Sequence, residues 1–117
     1  MRLAVEKVRK TGAEPVICSL IPIDSDKYFT FITEVMKRDS GRILQFIRYA
    51  GKLGEDQALY SSFAENIAEE CRCRLLPLRH VFTEHELVSA LSEDGVHPTE
   101  EGYAAVHRFI EKYVLSI

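Results

Sequence analysis

Apolar positions along this chain switch between a helical period and short β-branched runs. Leu3, Val5 and Val8 precede Gly12, and Lys7, Arg9 and Lys10 fall in what would be the last turns, where cations complement the carbonyl end of a helix. A short helix stopped near Gly12 is expected. Pro15-Val16-Ile17-Cys18-Ser19-Leu20-Ile21-Pro22 is a β-branched run with apolar residues on both faces and a proline at each end, the pattern of an interior parallel strand. Phe29, Ile32, Val35 and Met36 then recur at helical spacing, and Ile43, Leu44, Phe46 and Ile47 do so after the Asp39-Ser40-Gly41 break, which predicts two modest helices. From Asp56 to Cys71, Leu59, Phe63, Ile67, Ala68 and Cys71 fall on one face, opposite Glu65, Glu69 and Glu70. Cys73 to Leu78 reads as a second short strand, with Pro77 near its outgoing end. A helix is expected over Glu84 to Leu91. The last one begins after Pro98 with Thr99 as N-cap and Glu100 and Glu101 in its first turn, and is expected to bury Tyr103, Val106, Phe109, Ile110, Tyr113 and Val114.

Helix, strand, helices, strand, helices is the order of the second half of a doubly wound α/β domain entered at a crossover helix. The chain is therefore expected to start mid-fold, as a single domain over residues 1–117 holding only the late strands and helices. Two strands are too few for a parallel sheet, which needs both faces covered and further strands to stand alone. A missing N-terminal segment, a second copy of the chain or a domain swap would cover the bare edge, so a homodimer or domain-swapped oligomer is expected.

Composition narrows the function classes. The 117 residues carry 15 Lys+Arg against 18 Asp+Glu, a net charge of −3, with 46% hydrophobic and 28% charged residues, close to the globular average. Such a balance offers no polycationic face for a phosphate backbone, which argues against a nucleic-acid partner. The apolar runs are only a few residues long, far short of the roughly 20 that span a bilayer. Charges interrupt the first eight residues, unlike a secretory signal, so a cytoplasmic address is expected. Cys18, Cys71 and Cys73 are an odd count with no second pair to match Cys71-x-Cys73, which favours packed or half-buried reduced thiols over a disulfide framework or a zinc site.

Asp94-Gly95-Val96-His97-Pro98 is the one compact constellation with a mechanistic reading. A carboxylate three residues before an imidazole, with a glycine letting the chain turn, can accept the Nδ1–H and leave Nε2 free to take a proton, making His97 a general base. Pro98 and the Thr99 cap would fix that imidazole at the start of the last helix. Equally, Asp-Gly is a common turn, and a histidine ahead of a helix is often a solvated end residue.

Asp-x-x-His-Pro shortly before a closing amphipathic helix resembles the C-terminal block of the SGNH hydrolases, the GDSL lipase/esterase family. Pro15 to Pro22 is similar to the strand after that family's third block, and Tyr60 to Phe82 to its late helix and following strand. The resemblance implies a flavodoxin-like three-layer α/β/α sandwich and an acyl-ester hydrolase in which Asp94 and His97 are the orienting acid and base of a Ser-His-Asp triad, with a small acyl ester as substrate and no metal or organic cofactor. The family's Gly-Asp-Ser nucleophile block and its oxyanion-hole glycine and asparagine are not found. The serines of this chain lack that context, and its one asparagine, Asn66, lies inside a predicted helix. The chain alone is expected to be inactive. The alternatives are a non-catalytic α/β module that self-associates through an exposed sheet edge, or a subunit that receives its serine half from another chain.

Other candidates are weaker. Cys18 next to an imidazole would be nucleophilic, but its place inside a strand predicts burial. His80 and His85, with Glu84 between them, are five apart and share no helix face. His107 is expected on the surface of the last helix or in its packing. Asp24 to Glu55 follows the carboxyl end of a strand, where open α/β sheets bind ligands, yet its aromatics are equally at core-facing spacing. Arg79, right after the second strand, is either a structural partner for a carboxylate or an anchor for an anion.

Overall fold

The computed structural model describes residues 1–116. It is a mixed α/β chain, mostly helical, with one short parallel sheet. Helix α1 (Arg2–Lys10) leads into strand β1 (Val16–Cys18), then α2 (Ser25–Thr30), a π-helical turn (Phe31–Val35), α3 (Ser40–Ile47), α4 (Lys52–Glu70), strand β2 (Arg74–Leu76), a 3-10 turn (Leu78–His80), α5 (Glu84–Ala90) and α6 (Glu100–Leu115). Among the described residues no helix is long and apolar enough to cross a membrane.

Local signals account for most of these boundaries. Asp24 and Asp39 each accept a backbone N–H three residues on (Lys27, 3.1 Å; Arg42, 3.0 Å), starting α2 and α3. Thr83 and Glu86 close a reciprocal capping box at α5. At the end of α4, Cys73 N–H reaches Ala68 O (2.8 Å) and Arg72 N–H reaches Glu69 O (3.2 Å), a Schellman turn with Arg72 at φ +55°. The Arg9 guanidinium satisfies the carbonyls of Cys71 (2.8 Å) and Arg72 (3.3 Å), so α1 caps α4. Cys71 and Cys73, the C-x-C pair, are half-buried thiols in this turn.

β1 and β2 pair in parallel, Val16 opposite Arg74, Ile17 opposite Leu75 and Cys18 opposite Leu76, with the crossover running through α2, α3 and α4. Ile17 is buried against Val5 of α1 and Ala64 and Ala68 of α4, with Ile67, Cys71, Cys73 and Leu75 packed around them. Here three expectations need correction. β1 is not an interior strand: among the described residues it has one neighbour, and Val16 and Cys18, on the face away from Ile17, are exposed because α1 and α4 both pack on the Ile17 side. The buried face of α4 is Ser61, Ala64 and Ala68, while Leu59 and Phe63 are 54% and 52% exposed. At 100° per residue Leu59 lies about 160° from Ser61, and the small side chains win the sheet side because they let helix and strands approach closely. Finally, α6 buries Gly102 alone. Tyr103 and Val114 are exposed and Val106, Phe109, Ile110 and Tyr113 half-buried, since α6 packs mainly on α5 and not over the sheet.

The rotated face of α4 yields a paired expectation. Ala68→Leu forces extra methylenes against Ile17 and Val5 and should cost about 1–3 kcal/mol, whereas Phe63→Ala should cost less than about 1 kcal/mol instead of the roughly 3–5 of a core phenylalanine. Urea unfolding of both variants gives the comparison; the reverse order would restore the Leu59–Phe63 face to the core.

Candidate active site

Because the two strands are parallel, their carboxyl ends lie together, and the chain leaving β1 crosses that end as an irregular segment. α4 holds it at three points: Ser61 Oγ accepts from Leu20 N (3.0 Å), Gln57 Nε2 donates to Ile21 O (2.7 Å), and Gly54 N donates to Ser25 Oγ (2.9 Å). On the β2 side, buried Ser19 accepts from Arg79 N (2.9 Å) and the Arg79 guanidinium donates to Gln57. Arg79 is thus a structural tie, through an amide and not a carboxylate.

Onto this segment docks the turn between α5 and α6. Asp24 N–H donates to Gly95 O (2.9 Å), and Gly95 is buried at φ +72°. A Cβ there would stand 2.6 Å from Asp24 O and 2.7 Å from Tyr28 N, both backbone, so only glycine fits. Lys27 Nζ donates to the Val88 (2.6 Å) and Leu91 (3.3 Å) carbonyls at the end of α5, a second tether from α2. Past the turn, Leu91 and Pro98 form an antiparallel bridge, Thr99 caps Gly102 N (3.1 Å), and Gly102 seats α6 so close to Ala90 that a Cβ would lie 2.2 Å from its carbonyl oxygen.

Within this frame the structure brings Asp94 and His97 together. Asp94 Oδ2 lies 2.6 Å from His97 Nδ1, and Asp94 Oδ1 accepts from the backbone N–H of Val96 (2.9 Å) and His97 (2.9 Å), with the Ser92 hydroxyl at 3.0 Å. That hydroxyl also lies 2.7 Å from His97 O. The Asp94 side chain is 21% exposed, that of His97 72%. Partial withdrawal from water pushes the Asp94 carboxyl up, but hydrogen bonds from the His97 ring, the His97 and Val96 amides and Ser92 outweigh it and hold the group well below the usual carboxylate range. Asp94 is therefore an anion at neutral pH, positioned to accept from Nδ1–H and leave Nε2, which has no partner among the described residues, directed to the outside.

The other candidates are scattered. Cys18 is exposed, contrary to the burial expected, because no layer covers its face of β1; partial burial still pushes its thiol up, away from a reactive thiolate. His80 and His85 are exposed, and among the described residues no three His, Cys, Asp or Glu side chains gather as a metal site. His107 is on the surface of α6, 3.9 Å from Glu111. In the Asp24 to Glu55 stretch, Tyr28 and Phe29 are half-buried and Phe46 is exposed, so its aromatics do not form a core; Ile23 and Tyr28 instead join Leu53, Asp56, Gln57, Tyr60 and Val96 around an open groove beside the Asp94–His97 turn. Sequence reasoning placed Lys27 in the Asp24 to Glu55 stretch and set Ser92 aside as a nucleophile, but missed the Lys27 tether to the end of α5 and the Ser92 bond to Asp94. Ser92 stood two residues before Asp-Gly, a turn-forming pattern; nothing local marks Lys27. Comparison of the chain with protein-family models, curated proteins and solved structures finds no match.

Two measurements test this geometry. Since the folded Asp94 carboxyl titrates below its unfolded value of about 3.9, its stabilisation is complete well above that pH and is lost as pH falls through and below it. The urea midpoint should fall between about pH 5 and pH 2.5 with a slope steeper by up to one proton in the natural chain than in Asp94→Asn; equal slopes would mean the carboxylate is not held. Gly95→Ala should cost at least about 2 kcal/mol, from the left-handed backbone and the clash with Asp24 and Tyr28.

Proposed function

We propose that this chain carries the base and orienting acid of a serine ester hydrolase of SGNH (GDSL lipase/esterase) type, within the late part of a flavodoxin-like α/β/α fold. The observation that carries the reading is the 2.6 Å Asp94 Oδ2–His97 Nδ1 contact on a glycine-pinned turn. Its position supports the reading too, because the turn abuts the segment leaving the carboxyl end of β1, the side on which parallel α/β sheets place ligand sites.

In the proposed reaction a serine hydroxyl oxygen attacks the ester carbonyl carbon while His97 Nε2 takes its proton. Asp94 holds the tautomer and stabilises the imidazolium. The tetrahedral oxyanion collapses and His97 returns the proton to the departing alcohol oxygen; water, deprotonated by the same nitrogen, then attacks the acyl carbon, and as the serine C–O bond breaks His97 gives that proton back to the serine oxygen, releasing the acid. Nucleophile and oxyanion donors are assigned to residues outside the 117, because the Gly-Asp-Ser block and the oxyanion glycine and asparagine blocks that the resemblance calls for are not found in this sequence, and Ser92, the serine nearest the pair, is bound to Asp94 and the His97 carbonyl. The substrate is a small acyl ester, no cofactor takes part, and the free state of all three cysteines fits a reducing, cytoplasmic setting.

The chain alone is expected to leave a short-chain aryl ester unhydrolysed. Joined to in-frame coding sequence from upstream of Met1 that supplies a Gly-Asp-Ser segment, it should turn the ester over, and His97→Ala should then lower kcat by about 10³-fold or more. Nitrogen NMR of His97 should show the Nδ1–H tautomer, lost in Asp94→Asn. Hydrolysis by the chain alone, or an upstream stop codon with no such segment, overturns the proposal.

A further inference from the structure

The proposed reaction leaves the Cys71-x-Cys73 pair unused. Its turn has a fixed shape: Arg72, between the two cysteines, stands at φ +55°, held by the bonds of Cys73 N–H to Ala68 O and of Arg72 N–H to Glu69 O. A left-handed residue mirrors a helical one and spaces the Cα atoms on either side of it by about 5.4 Å, inside the window of roughly 4.4–6.8 Å that a disulfide spans. Both side chains are half-buried and pack against the cluster of Val5, Ile17, Ala64 and Ala68, so they face the same side of the turn. Arg9 of α1 completes the place. Its guanidinium, shared with Glu14 (2.8 Å), donates to the Cys71 (2.8 Å) and Arg72 (3.3 Å) carbonyls and reaches Cys73 Sγ at 3.7 Å. The carboxyl end of a helix disfavours negative charge, but here two of the last carbonyls are occupied by a cation that also touches a sulfur.

We propose that Cys71 and Cys73 form a redox-active dithiol that exchanges with low-molecular-weight disulfides, Cys73 attacking and Cys71 resolving. In the first step the Cys73 thiolate sulfur attacks one sulfur of R–S–S–R; that S–S bond breaks, a Cys73–S–S–R mixed disulfide forms, and the departing RS⁻ takes up the proton that Cys73 gave to solvent. In the second, the Cys71 thiolate sulfur attacks Cys73 Sγ, the two protein sulfurs are joined, and the second RS⁻ leaves and is protonated in its turn. The dithiol loses two electrons and the small disulfide is reduced to two thiols, so no other oxidant is needed. Cys73 is the attacking sulfur because it is the one in contact with the guanidinium, which meets the negative charge that sulfur carries as it attacks. Cys18 is no partner for it. It lies opposite Leu76, about 10 Å along β2 from Cys73 and beyond the disulfide window, so its exchange stops at a mixed disulfide. This inference stands apart from the hydrolase reading, as nothing in it uses Asp94 or His97.

The sequence supplies its own readout. After incubation of the natural chain with oxidised glutathione and blocking of the remaining thiols with iodoacetamide, trypsin cuts behind Arg72, and the two pieces stay joined only through a Cys71–Cys73 disulfide. The joined peptide should form, vanish with dithiothreitol, and show an equilibrium constant about tenfold or more larger for the folded chain than in about 6 M urea, where the turn is lost. Cys71→Ser should accumulate the glutathione adduct on Cys73. Arg9→Gln should slow that adduct about threefold to tenfold, whereas Glu14→Gln, which leaves the guanidinium on the sulfur, should not slow it. Absence of the joined peptide, a bridge made by Cys18, or an equal constant in urea and in buffer overturns the proposal. An Arg9→Gln rate equal to the natural one overturns the assignment of Cys73 as the attacking sulfur. If Arg9→Gln does not fold, the single-cysteine comparison decides: the adduct should form about tenfold faster on Cys73 of Cys71→Ser than on Cys71 of Cys73→Ser, and equal rates count against it.

Discussion

Close contact between the small-residue face of α4 and the two strands is the constraint on which the rest of this molecule depends. Ser61, Ala64 and Ala68 bring the helix down on Ile17, and the same stretch of α4 reaches past the sheet to hold the outgoing chain through Ser61, Gln57 and Gly54. That segment ends in Asp24, whose N–H pins Gly95, and Gly95 sits between Asp94 and His97 in the turn. The imidazole is thereby positioned relative to the sheet by a short relay of hydrogen bonds, from side chains to backbone along α4 and from backbone to backbone at Asp24 and Gly95, and not by its own packing. A larger side chain at Ala64 or Ala68 would shift α4 on Ile17 and Val5 and with it the Ser61 and Gln57 anchors, so it would disturb the site without touching it.

The relay explains why His97 can be ordered yet wet. Its ring is 72% exposed and rests on a carboxylate satisfied by three other donors. A carboxylate so fully bound keeps its charge and direction, which is what an orienting acid must do. The exposed ring is the other half of the matter. A general base works best where water is excluded and the field of its partners is not screened, and here only the Asp94 side of the imidazole meets that condition. Geometry for proton transfer is present, and the enclosure is left to whatever polypeptide or substrate covers the outer side of the turn.

What was legible in the sequence follows from the range of each interaction. Caps, proline brackets and the Gly12 stop act within a few residues, so the element order could be read directly. Asp94 and His97 were legible for the same reason, being three apart across a glycine. The orientation of α4 was not. Apolar periodicity weighs Leu59 and Phe63 most heavily, whereas helix-on-strand packing selected the alanines and a serine, which carry little weight in any hydrophobic pattern. Docking of Gly95 on Asp24, and of Lys27 on the end of α5, joins segments far apart in the chain, and no local pattern encodes such a contact. β1 is the instructive middle case: its residues are apolar on both faces, as read, but the chain covers one face only.

That mismatch between composition and cover bears on how firmly the site is held. Among the described residues eight apolar ones are buried, a small core for a chain of this length, and the entropy of ordering a backbone grows with every residue while the offsetting burial does not. A two-layer arrangement with one bare sheet face gains the attraction of a single helix layer per strand. Covering the Val16–Leu20 row would add burial on the very strand whose outgoing end carries Ser19, Leu20 and Ile21, the anchors of the relay to Asp24 and Gly95. A substitution that loosens β1 is therefore expected to be felt at the Asp94–His97 turn, because the hydrogen bonds of Leu20 and Ile21 to α4 and of Asp24 to Gly95 run from one to the other.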